Sequence, residues 1–422
     1  MEILGLALAG LISGLAMTHA CLVMGLAPYH ASRALAPPAF VLVVALALNY
    51  VSSRRDHTLL MPVAMLCGLS IVLLWRLDGF LAAKQVIWMA VGCLMLLATC
   101  LLVDDVENLR AASSLAGVGA VLLLVVTMIW GEERNGARLW LGIPGLAVFQ
   151  PVELAKILLV MFLAGLLADY RERPPRARSA GPVLVILAVG VGLALAVLVA
   201  QRDLGAAALL AGVVLVMTYL ATEARGAVAA AGGILVIVIL LATQPGVLAN
   251  LAGGGVLERR VVAWVDPWSD PQDAGWQAIQ GLTCLAHGGV FGAGPGLGAP
   301  QDLPVAESDM IYAVAAEDLG FAGSAAILLL YALMAWRGFQ LALSARGTYS
   351  ALLAAGLSTL LCLQTLLIVA GVLRILPLTG VTMPFLSYGG SSMVGNYILV
   401  GLLLCVSREV TWHNDRRGRL QA

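Results

Sequence analysis

The stretch LPLTGVTMPFLSYGGSSMVGNY, Leu376 to Tyr397, decides the fold. Pro377, Pro384 and four glycines break any helix here, yet Phe385, Leu386 and Tyr388 are not residues of a solvated loop. Long apolar runs flank it, one starting near Ser350 and one near Met393. Irregular backbone near membrane depth survives only when it is buried in protein or lines a water-filled cavity. The stretch therefore reads as a re-entrant or cavity-lining segment. Ser387, Ser391, Ser392 and Asn396 supply hydrogen bonds there, and the three serines are candidate substrate contacts. The competing reading is an ordinary outer loop with tight turns.

Composition agrees with a membrane setting. The 422 residues are 61% hydrophobic and 11% charged, where a soluble domain would carry about a quarter charged residues. So much apolar surface cannot be hidden in a soluble core, and the chain reads as an integral membrane protein. Formal net charge is zero, so no global field points to nucleic acid. The seven cysteines are odd in number, lack a CxxC spacing and sit mostly in apolar runs. They read as small buried apolar residues, not a disulfide or metal framework. Five scattered histidines show no ligand spacing. The opening MEILGLALAG has no basic n-region, so the first helix is expected to be retained.

Spanning about 30 Å of hydrocarbon takes about 17–25 apolar residues. Twelve candidate spans begin near Ile3, Pro37, Thr58, Gln85, Ala111, Val152, Gly181, Leu204, Gly226, Phe321, Ser350 and Met393, of which the second and twelfth are short. The fold class is all-α and polytopic, since these runs are apolar on all faces and show no strand alternation. Basic residues in short loops set orientation. Arg54/Arg55, Arg110, the run YRERPPRARS (Tyr170 to Ser179), Arg225, Arg337/Arg346 and the tail RRGRLQA share one side if both termini are cytoplasmic. The opposite side then holds Trp130 to Pro151, the long Gly-, Pro- and Trp-rich loop 243–320, and Arg374 to Ser392. That loop is too long for an inert connector and reads as turns with short helices between them.

Ionisable groups near spanning segments are functional candidates. In GARLWLGIPGLAVFQPVELAKI, Glu153 and Lys156 are three apart at a helix start and can face each other. They form either a structural ion pair or, with Arg138 beside Lys156, an anion site. Trp140 is an interfacial anchor or a substrate contact. In QRDLGAAALL, Arg202 and Asp203 lie between two apolar runs with almost no loop. They suggest a polar network under the outer face, or exposed turn residues. In ESDMIYAVAAEDLG, four carboxylates occupy fourteen residues. With a helix from Met310, Asp309 shares a face with Ala313 and Ala316, Glu317 lies about 80° round, and Asp318 points nearly opposite. Asp309 then faces a cavity, or simply complements a helix N-terminus. Asp318 faces water or a partner charge, and both later acids suit the outer interface. The run HGGVFGAGPGLGAP is a weak candidate phosphate cradle.

These blocks, in this order, resemble the SEDS family (shape, elongation, division and sporulation). The resemblance rests on RLWLGIPGLAVFQPVELAKI, QRDLGAA, GWQAIQGL…GGVFGAGPGLG…ESDMIYAVAAEDLGFAGS and LPLTGVTMPFLSYGGSSMVGNY. It covers roughly Thr58 onward and implies a ten-helix core at 58–407. Residues 1–57 then form a two-helix extension and 408–422 a basic cytoplasmic tail. The family's essential acid falls on Asp309. Departures are mild: Ser308 stands for Thr, Glu317–Asp318 for a Glu pair, Val152 for Ser, and Arg202 for Pro.

The resemblance implies a peptidoglycan glycosyltransferase of the bacterial cytoplasmic membrane. It polymerises lipid II at the outer face, for cell elongation or division, beside a class B penicillin-binding protein. Asp309 is then the general base. The diphosphate leaving group needs fixed cations or a divalent ion such as Mg2+ or Mn2+. Lys156, Arg138 and Arg202 are the candidates, with Glu153 holding Lys156. Two rival readings are a lipid II flippase and a non-catalytic scaffold for a transpeptidase.

Overall fold

The computed structural model describes residues 35–51, 56–134, 137–143, 147–174, 180–223, 263–273, 275–298 and 303–421, with a few isolated positions. Helices stand at ten of the twelve expected places: α1 (Ala36–Val51), α2 (Leu60–Leu77), α3 (Gly79–Leu102), α4 (Ser113–Trp130), α5 (Val152–Glu172), α6 (Ala180–Ala200), α7 (Leu204–Thr222), and then, past the short α8 (Trp276–Gly288), α9 (Ile311–Ser344), α10 (Thr348–Val372) and α11 (Gly390–Gln421). The spans expected near Ile3 and Gly226 lie outside the described residues. Among the described residues, seven helices are long and apolar enough to cross a membrane: α2, α3, α4, α7, α9, α10 and the first part of α11. The last span is not short as expected, because the helix begins already at Gly390 and its apolar part runs 21 residues to Val410. α5 has comparable length but carries Glu153, Lys156 and Asp169 within it.

Packing follows from what a membrane allows. Lipid is as apolar as leucine, so helices associate through close packing and small residues. Gly92 of α3 lies against the ring of Tyr397 on α11, and Gly117 of α4 against Phe162 on α5. α10 runs through the middle, mostly buried, against α5, α7 and α9. Polar ties hold one end of the bundle. Arg110 bonds Asp169 and Glu172 at 2.6 and 2.7 Å, and Arg171 donates to the Leu220 carbonyl at 2.6 Å. Chain direction puts the starts of α3, α5, α7 and α11 at the other end.

Two features there differ from the expectation of helices and turns. The connection after α4 is a three-stranded antiparallel sheet: β1 (Glu132–Arg134), β2 (Ala137–Ile143) and β3 (Ala147–Phe149). Helix α9 starts at Ile311, one residue later than supposed, and its backbone leaves helical geometry at Gly320 (φ 67°, ψ −170°). Essentially only glycine occupies that region. The glycine-rich loop after α8 docks onto this break. Ala293 N–H donates to Glu317 O at 2.9 Å, Gly294 N–H to Asp318 O at 3.0 Å, and Phe321 N–H to Gly289 O at 2.9 Å. A Cβ on Gly320 would collide with the Gly292 and Val290 backbone. The N–H groups of Ala293 and Gly294 are thus committed to carbonyls, which argues against the phosphate cradle.

Candidate active site

The segment between α10 and α11 is irregular over 373–389 and enters the bundle. Gln85 Nε2 donates to Ser387 O at 3.0 Å and to Ser70 Oγ at 3.4 Å. Gln85 lies six and Ser70 seven residues inside their helix ends, roughly 9–10 Å deep at 1.5 Å per residue. Tyr331, deeper still on α9, donates its hydroxyl to the Pro384 carbonyl. Phe385 takes a left-handed φ of 63° at the buried tip, edge-on to Tyr397 with centroids 5.3 Å apart. Buried apolar tip residues and backbone satisfied by protein are what a re-entrant segment requires.

The other three sequence blocks all meet this segment. The loop carrying Asp309 is tied to it twice: Ser387 Oγ donates to Ser308 O at 2.7 Å, and Tyr388 N–H donates to Glu307 O at 2.7 Å. Asp309 is only half-buried, between these ties and the start of α9. The start of α5 meets the segment through Gln150 N–H, which donates to Ser391 Oγ at 2.8 Å. The start of α7 meets it at Gly205, whose missing side chain lets the Thr379 carbonyl and Val381 approach.

Lys156 and Glu153 form the buried polar centre. Lys156 Nζ donates to Glu153 Oε1 at 3.0 Å and to Gln364 Oε1 at 3.1 Å. Gln364 Nε2 in turn donates to the Thr382 carbonyl at 2.7 Å, so the ammonium is wired to the re-entrant backbone. The Lys156 side chain is only 3% exposed. An ammonium at that depth is retained because a carboxylate and an amide oxygen replace its water.

The remaining expected site residues fall elsewhere. The hydroxyls of the three serines have protein partners. Ser387 accepts from Met383 N–H at 2.8 Å besides donating to Ser308. Ser392 accepts from Thr382 at 2.7 Å and from Asn396 at 3.1 Å. They tie the segment together. Arg138 and Trp140 stand on β2 outside this network, and Arg138 pairs with Glu133 at 3.4 Å where both are more than half exposed. Arg202 is exposed in a left-handed turn, φ 63°. Asp203 is the N-cap of α7, accepting from Ala206 N–H at 2.9 Å. Asp203→Ala is expected to lower stability by about 1 kcal/mol, read as a lower thermal midpoint in detergent, with the turnover rate per folded molecule kept. A tenfold rate loss at unchanged midpoint would return Asp203 to the substrate side.

Glu317 and Asp318 face protein, not water. Both are buried, and both face Arg76 from the last turn of α2. Arg76, Gln85 and Gln364 are the residues the sequence reading passed over. Gln85 and Gln364 carried a signal, being lone amides in apolar runs. Arg76 did not, since an arginine at a helix end reads as an interfacial anchor. Cys284 on α8 has its thiol pushed up to about 12 by burial, with Glu317 adding to it, as an inert apolar cysteine should. Among the described residues no three His, Cys, Asp or Glu gather to hold a metal.

Comparison with known proteins adds an independent line. The pattern of the FTSW_RODA_SPOVE family, described as cell cycle protein, matches residues 51–412. The peptidoglycan glycosyltransferase RodA of Mycobacterium tuberculosis (strain H37Rv) is 35% identical over 397 residues, covering 88% of this chain and 81% of that one. The stage V sporulation protein E of Bacillus subtilis is 31% identical over 334 residues, covering 78% and 87%. Among solved structures, a chain from a peptidoglycan synthase complex that coordinates polymerization and crosslinking superposes with a TM-score of 0.71 at 28% identity, covering 84% of this chain and 98% of that chain.

Proposed function

This chain belongs to the FtsW, RodA and SpoVE family of cell cycle proteins, and from that premise we propose how its residues make glycan. It is a peptidoglycan glycosyltransferase and an integral membrane protein. Its substrate is lipid II. The 4-hydroxyl of one GlcNAc attacks the anomeric carbon of a MurNAc on undecaprenyl diphosphate. The new glycosidic bond forms as the bond to the diphosphate breaks, and the hydroxyl proton passes to Asp309.

A sugar hydroxyl is a poor nucleophile, so a carboxylate within hydrogen-bond reach must take its proton as the bond forms. The observation that carries this assignment is the convergence of the other three blocks on the re-entrant segment, with a half-buried Asp309 in the loop tied to it. The departing diphosphate concentrates negative charge where the dielectric is low, and preorganised positive charge favours its release. Lys156 supplies it from below. Arg138 and Arg202, exposed at the same end, meet the anion from outside. The starts of α5, α7 and α11 open at this end too, and their dipoles add positive potential. A divalent cation fits the same place, since Mg2+ is commonly held by one or two carboxylates plus substrate phosphates. Asp309 would hold it together with the substrate's own phosphates, and the ion would neutralise diphosphate charge.

The reaction end faces outward and both termini are cytoplasmic. Supporting this, Arg110, Arg171, Arg337, Arg346 and Arg408 all sit at or near the opposite end of the bundle, as cytoplasmic basic residues should. Residues 1–57 form an N-terminal extension, a boundary supported by the family match beginning at residue 51. The partner is a class B penicillin-binding protein, supported by the likeness to a synthase complex chain, and the role is elongation or division.

The test is polymerisation of labelled lipid II, supplied from outside, by the purified full chain with and without a cognate class B penicillin-binding protein. Glycan chains resolved on a gel are expected. Lipid II movement across vesicles without polymer would favour a flippase. Neither activity from the assembled pair would leave a scaffold.

A further inference from the structure

One buried charge cluster has no part in the proton transfer or the leaving-group cradle. Arg76 comes from the last turn of α2 and pairs with Asp318, and it lies 3.6 Å from Glu317. The arginine side chain is 3% exposed and each carboxylate 1%. One buried cation therefore faces two buried carboxylates. His287 Nδ1 lies 3.8 Å from Glu317 Oε1, with the imidazole largely exposed. A group of this kind is weak evidence for stability, since apolar replacement of buried ion networks is often neutral or stabilising. Its placement points to another role. Glu317 and Asp318 end the nine-residue helical piece Ile311–Leu319, which Gly320 separates from the rest of α9. The start of that piece follows Asp309 and Met310 directly.

We propose that Arg76 is a positioning residue for Asp309, acting through Asp318 and Glu317; this rests on Asp309 being the general base. A nine-residue helix is a stiff rod. Ser387 and Tyr388 hold the loop before it. Arg76 holds its far end, and Gly298 packs on the Glu317 carboxyl and the Arg76 guanidinium. Asp309 hangs between these two anchors. The planar guanidinium reaches both carboxylates at once and so sets the rotation of the rod as well as its height. A lysine ammonium, a point charge, sets neither.

The test compares the purified full chain with Arg76→Lys, with the triple variant Arg76→Met/Glu317→Gln/Asp318→Leu, and with Asp309→Asn. Thermal midpoint, kcat and KM for lipid II are measured for each. The triple variant is expected to keep its midpoint within a few degrees and to lose at least tenfold in kcat, with KM changed less than threefold. Arg76→Lys, which keeps the charge, is expected to show the same split in milder form. If the triple variant does not fold, Arg76→Lys alone decides, and parental kcat there overturns the proposal. Parental kcat in a folded triple variant overturns it too. An equal rise in KM would assign Arg76 to substrate binding and also overturn it. Asp309→Asn polymerising at the parental rate would instead remove the base assignment on which the proposal rests.

Discussion

Asp309→Asn is expected to abolish glycan polymerisation while the chain inserts and folds as its parent does. Asparagine has nearly the same shape and still forms hydrogen bonds, but it cannot accept the acceptor sugar's proton. General-base catalysis contributes roughly 10²–10⁴-fold, so product on the gel should fall below detection at parental enzyme concentration. Folding should survive because the loop is held by its neighbours. The Ser308 and Glu307 carbonyls make the ties, and these backbone groups are unchanged by the substitution. Asp309→Glu should keep a fraction of the activity, since one extra methylene moves the carboxylate by over an ångström, a shift worth about 10²-fold in a positioned reaction. Glycan made by Asp309→Asn at the parental rate would sink the assignment.

Lys156→Ala is expected to do two kinds of damage. It leaves Glu153 buried without its cation and the Gln364 oxygen without its donor. Removing one partner of a buried pair costs roughly 3–5 kcal/mol, so the thermal midpoint should drop clearly. It also removes the positive charge beneath the diphosphate, a loss of about 10²–10³-fold if it acts as a preorganised charge-stabilising donor does. The double variant Lys156→Met/Glu153→Leu separates the two effects. It removes both buried charges, so the midpoint should return toward the parent while turnover stays low. Lys156→Arg keeps the charge and should turn over faster than Lys156→Ala. Parental turnover in a folded double variant would reduce the pair to architecture, the plainer of the two sequence readings.

Much of this architecture is legible in the sequence because a membrane narrows the options. Long apolar runs must be helices, and ten of them stand where residue count put them. The stretch around Pro377 and Pro384 showed itself by being both broken and apolar. What could not be read depends on contacts across the chain. Asp318 pointing away from Asp309 was foreseeable from helix geometry, but its partner Arg76 lies more than 200 residues earlier. Ser387, Ser391 and Ser392 looked like ligands because hydroxyls in a greasy chain suggest a substrate. Their partners turned out to be backbone and neighbouring side chains that no spacing rule names. The small sheet at Glu132–Phe149 was missed because two of its three strands are only three residues long, too few for alternation to register.

The break at Gly320 has a bearing on the surrounding lipid. As one straight rod, the 34 residues of α9 would measure about 51 Å at 1.5 Å per residue, far more than the roughly 30 Å of hydrocarbon. Divided at Gly320, the part from Phe321 to Ser344 measures about 36 Å and fits a bilayer with modest tilt. The shorter part before it is gripped by other helices, not by acyl chains. When the bilayer thins or thickens, the long part can lean to follow it while the short part stays where its neighbours put it. The height of the carboxylate is thereby insulated from the composition of the bilayer around it.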